Sequence, residues 1–191
     1  MPFIDALQKI MPLSLPCIAA LRASTQCKNY LKDRFLVCPE QINSHLYYIE
    51  TGLVRVFYDT DTRTVTSYFG KEGDFVWSVQ SFLKQEHSYE SIQMLEKSEI
   101  WTISYHDLYK IRCTFPELNL HYSKILEQHL TTYDKRICLL HEEDHKKRYE
   151  MFLSLHPNVS HRLQVNHIAQ YLNIRPETFS RVRSILKIKN L

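Results

Sequence analysis

The hydrophobic pattern of the chain changes from strand-like to helical near residue 105. Residues 27–105 contain short runs rich in Tyr, Phe, Val and Ile, and turn-forming residues separate one run from the next. Short strands at regular spacing are typical of an antiparallel sandwich or jelly roll. The clearest runs lie at 46–49, 53–58, 64–69, 90–94 and 100–104. Residues 1–24 have a helical pattern that Pro12 and Pro16 interrupt.

Residues 122–140 form part of a long predicted helix with two neighbouring apolar stripes. The first stripe alternates steps of four and three residues, which predicts a seam for a partner helix. It consists of Leu126, Leu130, Tyr133, Ile137 and Leu140. The second stripe consists of Tyr122, Ile125, His129 and Thr132. One stripe can pack on its own domain and the other on a second copy, so we expect a homodimer. Burial of both stripes within one chain remains the alternative.

Residues 165–184 predict two short helices joined by a tight turn. Ile168, Ala169 and Leu172 form the apolar face of the first helix. Asn173 ends that helix, because Asn is one of the few residues that tolerate a left-handed backbone. Pro176 suits the first turn of the next helix, where its missing N–H costs nothing.

The second of these helices has two different faces. Its inward positions are Phe179, Val182 and Leu186, and its opposite face carries Glu177, Ser180, Arg181 and Ser184. Two short helices with a turn of this length are typical of a helix-turn-helix that binds DNA.

Charge is distributed unevenly along the chain. The net charge is only +3, but residues 155–191 contain six basic side chains and one acid, Glu177. A basic module suits a phosphate backbone, so the charge pattern also favours nucleic acid as a partner.

The composition limits the location and the chemistry of the protein. It is 44% hydrophobic and 24% charged, it has no run of about 20 apolar residues, and it begins without a basic leader and apolar stretch. We therefore expect a cytoplasmic protein that does not insert in membranes. Its five scattered cysteines should be reduced. No nucleophile–base motif occurs, and the pair His141 and His145 lacks a third ligand, so we expect no enzyme, no metal and no cofactor.

The chain resembles the Crp/Fnr family of bacterial regulators. The run 177–181 (ETFSR) is similar to the family's recognition-helix motif, and 46–57 and 70–75 resemble its sensor strands and glycine-marked turn. The resemblance runs from about residue 12 to residue 187. It implies an α+β protein with an N-terminal antiparallel jelly roll of the cyclic-nucleotide-binding type at 1–115. A dimerisation helix should follow at 116–141, and an all-α helix-turn-helix domain at 142–191. Because the chain stops soon after the recognition helix, we expect no full β-hairpin wing.

The resemblance breaks where family members hold a cyclic nucleotide. The place of the ribose-binding Glu is occupied by Ser78, and that of the phosphate-binding Arg by Ser88. A buried phosphate without such a donor is poorly compensated, so we expect no response to cAMP. Trp77, Phe82 and Tyr89 fall in the same region. Whether they fill the effector pocket or line it remains open. The spacing of Cys17, Cys27 and Cys38 does not match an iron–sulfur cluster.

The resemblance also implies which residues meet DNA. Glu177, Ser180 and Arg181 would read bases, and the residues expected at phosphates are Arg175, Arg183, Ser184, Lys187 and Lys189. The expected target is a palindromic operator in double-stranded DNA, and RNA polymerase is a candidate partner. The alternative is a sensor or adaptor module that responds to an unknown small molecule and acts through protein partners.

Overall fold

The computed structural model describes residues 1–189, and for 187–189 it describes the helical backbone only. The chain divides into two compact units. The first contains Met1–Phe57 and Phe69–Gln128, and the second contains Tyr58–Tyr68 together with the chain from His129 onward. Among the described residues, no helix combines the length and the apolar character that crossing a membrane requires.

The strands form two four-stranded sheets, ordered β1-β8-β3-β6 and β2-β7-β4-β5. The strands are β1 (Thr25–Tyr30), β2 (Phe35–Val37), β3 (His45–Thr51), β4 (Val54–Asp59), β5 (Thr64–Gly70), β6 (Phe75–Val76), β7 (Ser91–Met94) and β8 (Ser98–Ser104). The recorded pairings of β1 with β8, β3 with β8 and β4 with β7 are all antiparallel. This architecture confirms the predicted jelly roll. The predicted runs omit β1, β2 and β6. The strands β2 and β6 are too brief to show a period, and β1 (TQCKNY) lacks the apolar residues that mark the other strands.

Eight helices are described. They are α1 (Pro2–Ile10), α2 (Leu15–Ser24), α3 (Val79–Lys84), α4 (Tyr105–Thr114), α5 (Leu118–His141), α6 (His145–Leu155), α7 (Val165–Leu172) and α8 (Pro176–Lys189). Pro12 lies between α1 and α2, as expected of a helix breaker, whereas Pro16 lies in the first turn of α2, where proline is tolerated. The order of jelly roll, long helix and C-terminal helices confirms the predicted α+β class.

The turn after β3 requires a glycine at position 52. Gly52 has a φ of +108°, and a Cβ at this position would collide with the side chain of Ser98. A bulkier residue would therefore be strained twice, by its backbone and by its neighbour. The β3–β8 register shifts between Ile49 and Thr51, immediately before this turn.

The core of the first unit joins its helices to one face of the jelly roll. The ring of Phe3 on α1 lies 5.9 Å from that of Tyr48 and 5.8 Å from that of Phe75, measured between centroids. Leu108 of α4 and Ile125 of α5 belong to the same buried cluster. Burial of these side chains fixes the first half of the long helix on the sensor-like unit.

The core of the second unit is aromatic. Phe152, Tyr171 and Phe179 are each 0–1% exposed, and they come from α6, α7 and α8 respectively. Phe152 and Tyr171 meet edge to face at 5.4 Å, and Tyr149 meets Phe179 in the same way at 4.9 Å. Such pairs contribute beyond their area burial, so a small unit gains a well-ordered core.

Candidate nucleic-acid interface and sensor region

Helices α7 and α8 are joined by a turn whose backbone is set by Asn173. This residue adopts φ 56° and ψ 44°, the left-handed conformation that the sequence predicted. The N–H of Ile174 donates to the carbonyl of Ala169 at 3.1 Å, which closes the end of α7. The carbonyl of Arg175 accepts from the N–H of Phe179 at 2.9 Å, so α8 begins directly after Arg175. We refer to these two helices and their turn as the α7–α8 pair.

The two faces of α8 differ in exposure as the spacing predicted. Phe179 is 0% exposed, and Ala169 on the crossing helix is equally buried. Glu177, Ser180 and Arg181 are exposed. One face of α8 is thus held by the core, and the other presents an acid, a hydroxyl and a guanidinium to solvent.

The side chains expected at phosphates differ in their surroundings. Arg175 is exposed, and Arg183 is half-buried. The exposed hydroxyl of Ser184 donates to the carbonyl of Ser180 at 3.0 Å, so its proton is used within the helix while its lone pairs stay free. The side chains of Lys187 and Lys189 lie outside the described residues.

Arg148 contacts the C-terminus of α7, and the sequence did not predict this contact. Its side chain is 8% exposed, and Nη1 donates to the carbonyl of Leu172, the last residue of α7, at 3.0 Å. Nε donates to the carbonyl of Glu142 at 2.9 Å. A cation at a helix C-terminus is favourable both as a donor and through the helix dipole. Within the basic run 146–148, nothing in the sequence distinguishes this buried arginine from its lysine neighbours.

The sensor region holds a closed network of polar side chains. Ser78, Ser88 and Glu90 are 0%, 2% and 4% exposed. The hydroxyl of Ser78 donates to Oε2 of Glu90 at 3.0 Å, and the Ser88 hydroxyl lies 2.9 Å from that of Ser78. The Ser88 oxygen also accepts from the N–H of Glu90 at 3.0 Å. Ser78, at the place of the ligand-binding Glu, therefore binds a carboxylate of the protein itself. Ser88, at the place of the Arg, binds the Ser78 hydroxyl and the Glu90 backbone.

The aromatic residues predicted near the effector pocket separate into two groups. Trp77 and Phe82 are 3% and 1% exposed and belong to the hydrophobic core, with their rings 6.4 Å apart. This placement favours the interpretation that they fill space. Tyr89 differs from the prediction, because its side chain is 53% exposed.

The sensor unit also buries a basic residue that the sequence did not predict to be inside. Arg55 on β4 is 6% exposed, its guanidinium carbon lies 3.9 Å from the centre of the Phe57 ring, and Nη2 donates to Gln93 at 3.3 Å. A basic residue inside a strand is usually read as an outward position, which is why the alternating pattern gave no sign of it.

The dimer seam predicted on α5 is partly uncovered in one chain. Leu130 and Ile137 are 72% and 54% exposed. Leu126, Tyr133 and Leu140 are half-buried. In the second stripe, Ile125 and His129 are 4% and 9% exposed. The second stripe is thus more buried within the chain than the first, in which Leu130 and Ile137 face solvent.

Cys27, Glu50 and Glu99 bring potential metal ligands within 4.8 Å of one another. The Cys27 thiol donates to Glu99 at 3.2 Å. Burial, together with the carboxylates of Glu99 and Glu50, raises the pKa of Cys27 to about 12. A thiol with this pKa is protonated at neutral pH, whereas the thiolate is the metal-binding form. The hydrogen bond with Glu99 accounts for the arrangement without an ion.

A family match and the likeness to solved structures both support the fold. Residues 27–113 match the family described as Cyclic nucleotide-binding domain. The solved structure of CLP from Xanthomonas campestris, described as a c-di-GMP responsive global regulator, is 18% identical with a TM-score of 0.75, covering 93% of this chain and 94% of that one. No curated protein sequence matches the chain.

Two further solved structures extend the likeness. FixK2 from Bradyrhizobium japonicum is 17% identical with a TM-score of 0.74, covering 87% of this chain and 86% of that one. The catabolite activator protein of Thermus thermophilus is 18% identical with a TM-score of 0.58, covering 97% and 88%. This protein therefore has a jelly roll similar to cyclic nucleotide-binding domains, and over nearly its whole length it shares the fold of these three proteins.

Proposed function

We propose that the protein is a sequence-specific DNA-binding transcription regulator of the Crp/Fnr type that acts in the cytoplasm as a homodimer. The observation that carries this proposal is the α7–α8 pair, in which α8 is anchored by the buried Phe179 and exposes Glu177, Ser180 and Arg181. The shared fold of the solved regulators supports it. RNA polymerase is part of the same proposal as a candidate partner.

Base reading would fall to the exposed face of α8. An arginine can donate two hydrogen bonds to guanine O6 and N7, and a glutamate can accept one from a cytosine amine. Arg181 and Glu177 supply these groups, and the Ser180 hydroxyl between them suits either base. Arg175 and Arg183 flank this face and suit phosphates, which position a protein without reading sequence.

The homodimer would form along α5. Leu130 and Ile137 are large apolar side chains that one chain leaves exposed, and their spacing fits a partner helix. An isologous dimer presents its two recognition helices about one DNA turn, roughly 34 Å, apart. The operator should therefore be a palindrome with that half-site spacing.

The sensor unit should not respond to cAMP or cGMP. A cyclic nucleotide would have to displace the mutual hydrogen bonds of Ser78, Ser88 and Glu90, and its phosphate would then approach a buried carboxylate. A second anion beside a buried carboxylate is unfavourable, because like charges repel each other most strongly away from water. Calorimetry with either nucleotide should show no binding at micromolar concentrations, and a micromolar dissociation constant would contradict this part of the proposal.

Selection of bound duplexes from a random DNA pool tests the central claim. The selected sequences should converge on a palindrome, and fluorescence anisotropy should show tighter binding to it than to a scrambled duplex. A pool that does not converge, combined with equal binding to both duplexes, would exclude sequence-specific recognition. Repeating the selection with a small-molecule extract would reveal an effector that alters affinity.

A further inference from the structure

The loop end of the β4–β5 hairpin belongs to the second unit. Tyr58–Tyr68 groups with the C-terminal helices, whereas the remainder of both strands groups with the jelly roll. We call residues 58–68 the hairpin tip. Nothing in the sequence pattern indicates this association, because strands 53–58 and 64–69 look like an ordinary hairpin.

The hairpin tip contacts the turn of the α7–α8 pair directly. Arg63 Nη1 donates a hydrogen bond to the side-chain oxygen of Asn173. Asn173 is the left-handed residue on which the direction of α8 depends. The tip itself is well defined, since the Thr60 N–H donates to the Arg63 carbonyl at 2.8 Å and the Thr64 hydroxyl donates to Asp59. Arg63 is therefore presented by an ordered turn.

A second group of contacts holds the tip against α5 and α7. Thr66 is 0% exposed, and its hydroxyl donates to Gln170 Oε1 at 3.3 Å. Its carbonyl accepts from Arg136 Nη2 on α5 at 2.8 Å. The same guanidinium lies 4.9 Å from the centre of the Tyr171 ring on α7. Thr66 is thus the junction at which the hairpin meets the long helix and the helix preceding the turn.

The contact leaves the exposed face of α8 open. A cleft of about 580 Å³ lies beside the hairpin tip, and it is lined by Thr62, Arg63, Thr64, Ala169, Gln170, Asn173, Ile174, Arg175 and Pro176. Glu177, Ser180 and Arg181 do not line it. The hairpin therefore touches the side of the turn without covering the side chains proposed to read bases. This geometry favours support of the recognition helix over inhibition.

We propose that the hairpin tip is part of the DNA-recognition apparatus and that Arg63 is a positioning residue, holding Asn173 so that α8 is presented in a fixed direction. This inference rests on the proposed function, and it adds a residue that lies more than one hundred positions away from α8 in the sequence. Arg63 acts through Asn173 and makes no contact with DNA itself.

The test is a double-mutant cycle between Arg63→Ala and Asn173→Gly. Glycine adopts the left-handed backbone without strain, so this substitution removes the carboxamide and keeps the turn. Each single variant should weaken binding to the selected palindrome about three- to tenfold, the range expected for one hydrogen bond of ordinary strength. The double variant should be no weaker than the weaker single variant, because both remove the same contact. Arg63→Lys, which keeps one donor, should recover part of the affinity.

Salt dependence distinguishes positioning from a direct phosphate contact. Arg63→Ala should leave the slope of log affinity against log salt unchanged, whereas loss of a phosphate contact lowers it by about one unit. The control is Arg22→Ala, which removes the same charge from an exposed position of the first unit. A lower slope for Arg63→Ala, a loss no greater than that of Arg22→Ala, or tighter binding would each overturn the proposal.

Hydrogen exchange separates failure of this inference from failure of the proposed function. In free protein, Arg63→Ala should accelerate exchange at the amides of residues 173–175 without lowering the melting temperature of the whole chain. If exchange accelerates in this way but the parent protein binds no DNA, the contact is supported and the proposed DNA-binding function is wrong. If the parent protein binds its palindrome and neither exchange nor affinity changes, the positioning role is wrong.

Discussion

The candidate polar side chains are buried in the first unit and exposed in the second. In the sensor unit, Ser78, Ser88 and Glu90 turn inward and bind one another, so their hydrogen-bonding capacity is used by the protein itself. In the α7–α8 pair, Glu177 and Arg181 turn outward from a helix that is anchored on its other side by the fully buried Phe179. A closed network leaves little for a ligand, whereas an exposed set on a rigid support is arranged for a partner. Under the proposed function, we therefore expect α8 to bind DNA without a cyclic nucleotide in the sensor unit.

The largest expected effect comes from the helix that both units share. Leu130→Asp combined with Ile137→Asp should give monomers, because two charges cannot be buried in an apolar seam without pairing. Loss of the second half-site contact should lower operator affinity about 10²- to 10⁴-fold. Light scattering measures the assembly and anisotropy measures the affinity.

The control for the seam is Lys135→Asp, which places a charge on an exposed position of the same helix outside the stripe. It should remain dimeric. If the parent protein is already monomeric at micromolar concentration, the seam assignment is wrong and the contrast between the stripes of α5 has another cause.

The second prediction tests whether the outward set reads bases. Arg181→Ala should cost about 1–3 kcal/mol of binding free energy on the selected palindrome and relax selectivity at one base pair. The loss on a scrambled duplex should be much smaller, because only phosphate contacts remain there. Anisotropy on both duplexes at several salt concentrations measures the difference. Equal losses on the two duplexes would show that α8 does not read sequence.

The sequence predicted the parts of this protein that depend on local periodicity. The jelly-roll strands, the long helix and the left-handed Asn173 follow from spacing and backbone preference. The buried charges Arg55, Glu90 and Arg148 could not be predicted, because their burial depends on partners from distant segments. The same reason hides the contact between Arg63 and Asn173, which are 110 residues apart.

The third prediction tests whether the inward set is structural. Glu90→Ala should lower the free energy of unfolding by about 1–3 kcal/mol, since it leaves the buried Ser78 hydroxyl without its carboxylate acceptor. DNA affinity of the folded protein should not change. Chemical denaturation and anisotropy measure the two quantities, and Glu86→Ala, an exposed position in the same segment, is the control. A loss of DNA affinity at full folding would show that the closed network still communicates with recognition.

The smallest expected effect concerns the start of α8, where one substitution should raise stability and weaken DNA binding. The carbonyl of Arg175 is the first acceptor of α8, so Arg175 occupies the N-cap position. Thr or Ser is common there, because its side-chain oxygen accepts a backbone N–H of the first turn. Arg175→Thr should therefore raise the free energy of unfolding by about 0.5–2 kcal/mol. It should also weaken DNA binding and lower the salt slope by about one unit, because the exposed guanidinium is placed for a phosphate.

Arg175→Ala separates the two effects. It removes the charge without supplying a cap, so affinity should fall as for Arg175→Thr while stability stays near that of the parent. Thermal denaturation and anisotropy measure both. An unchanged affinity in the two variants would leave the arginine without a role in binding, and α8 would then meet DNA only through the side chains further along its exposed face.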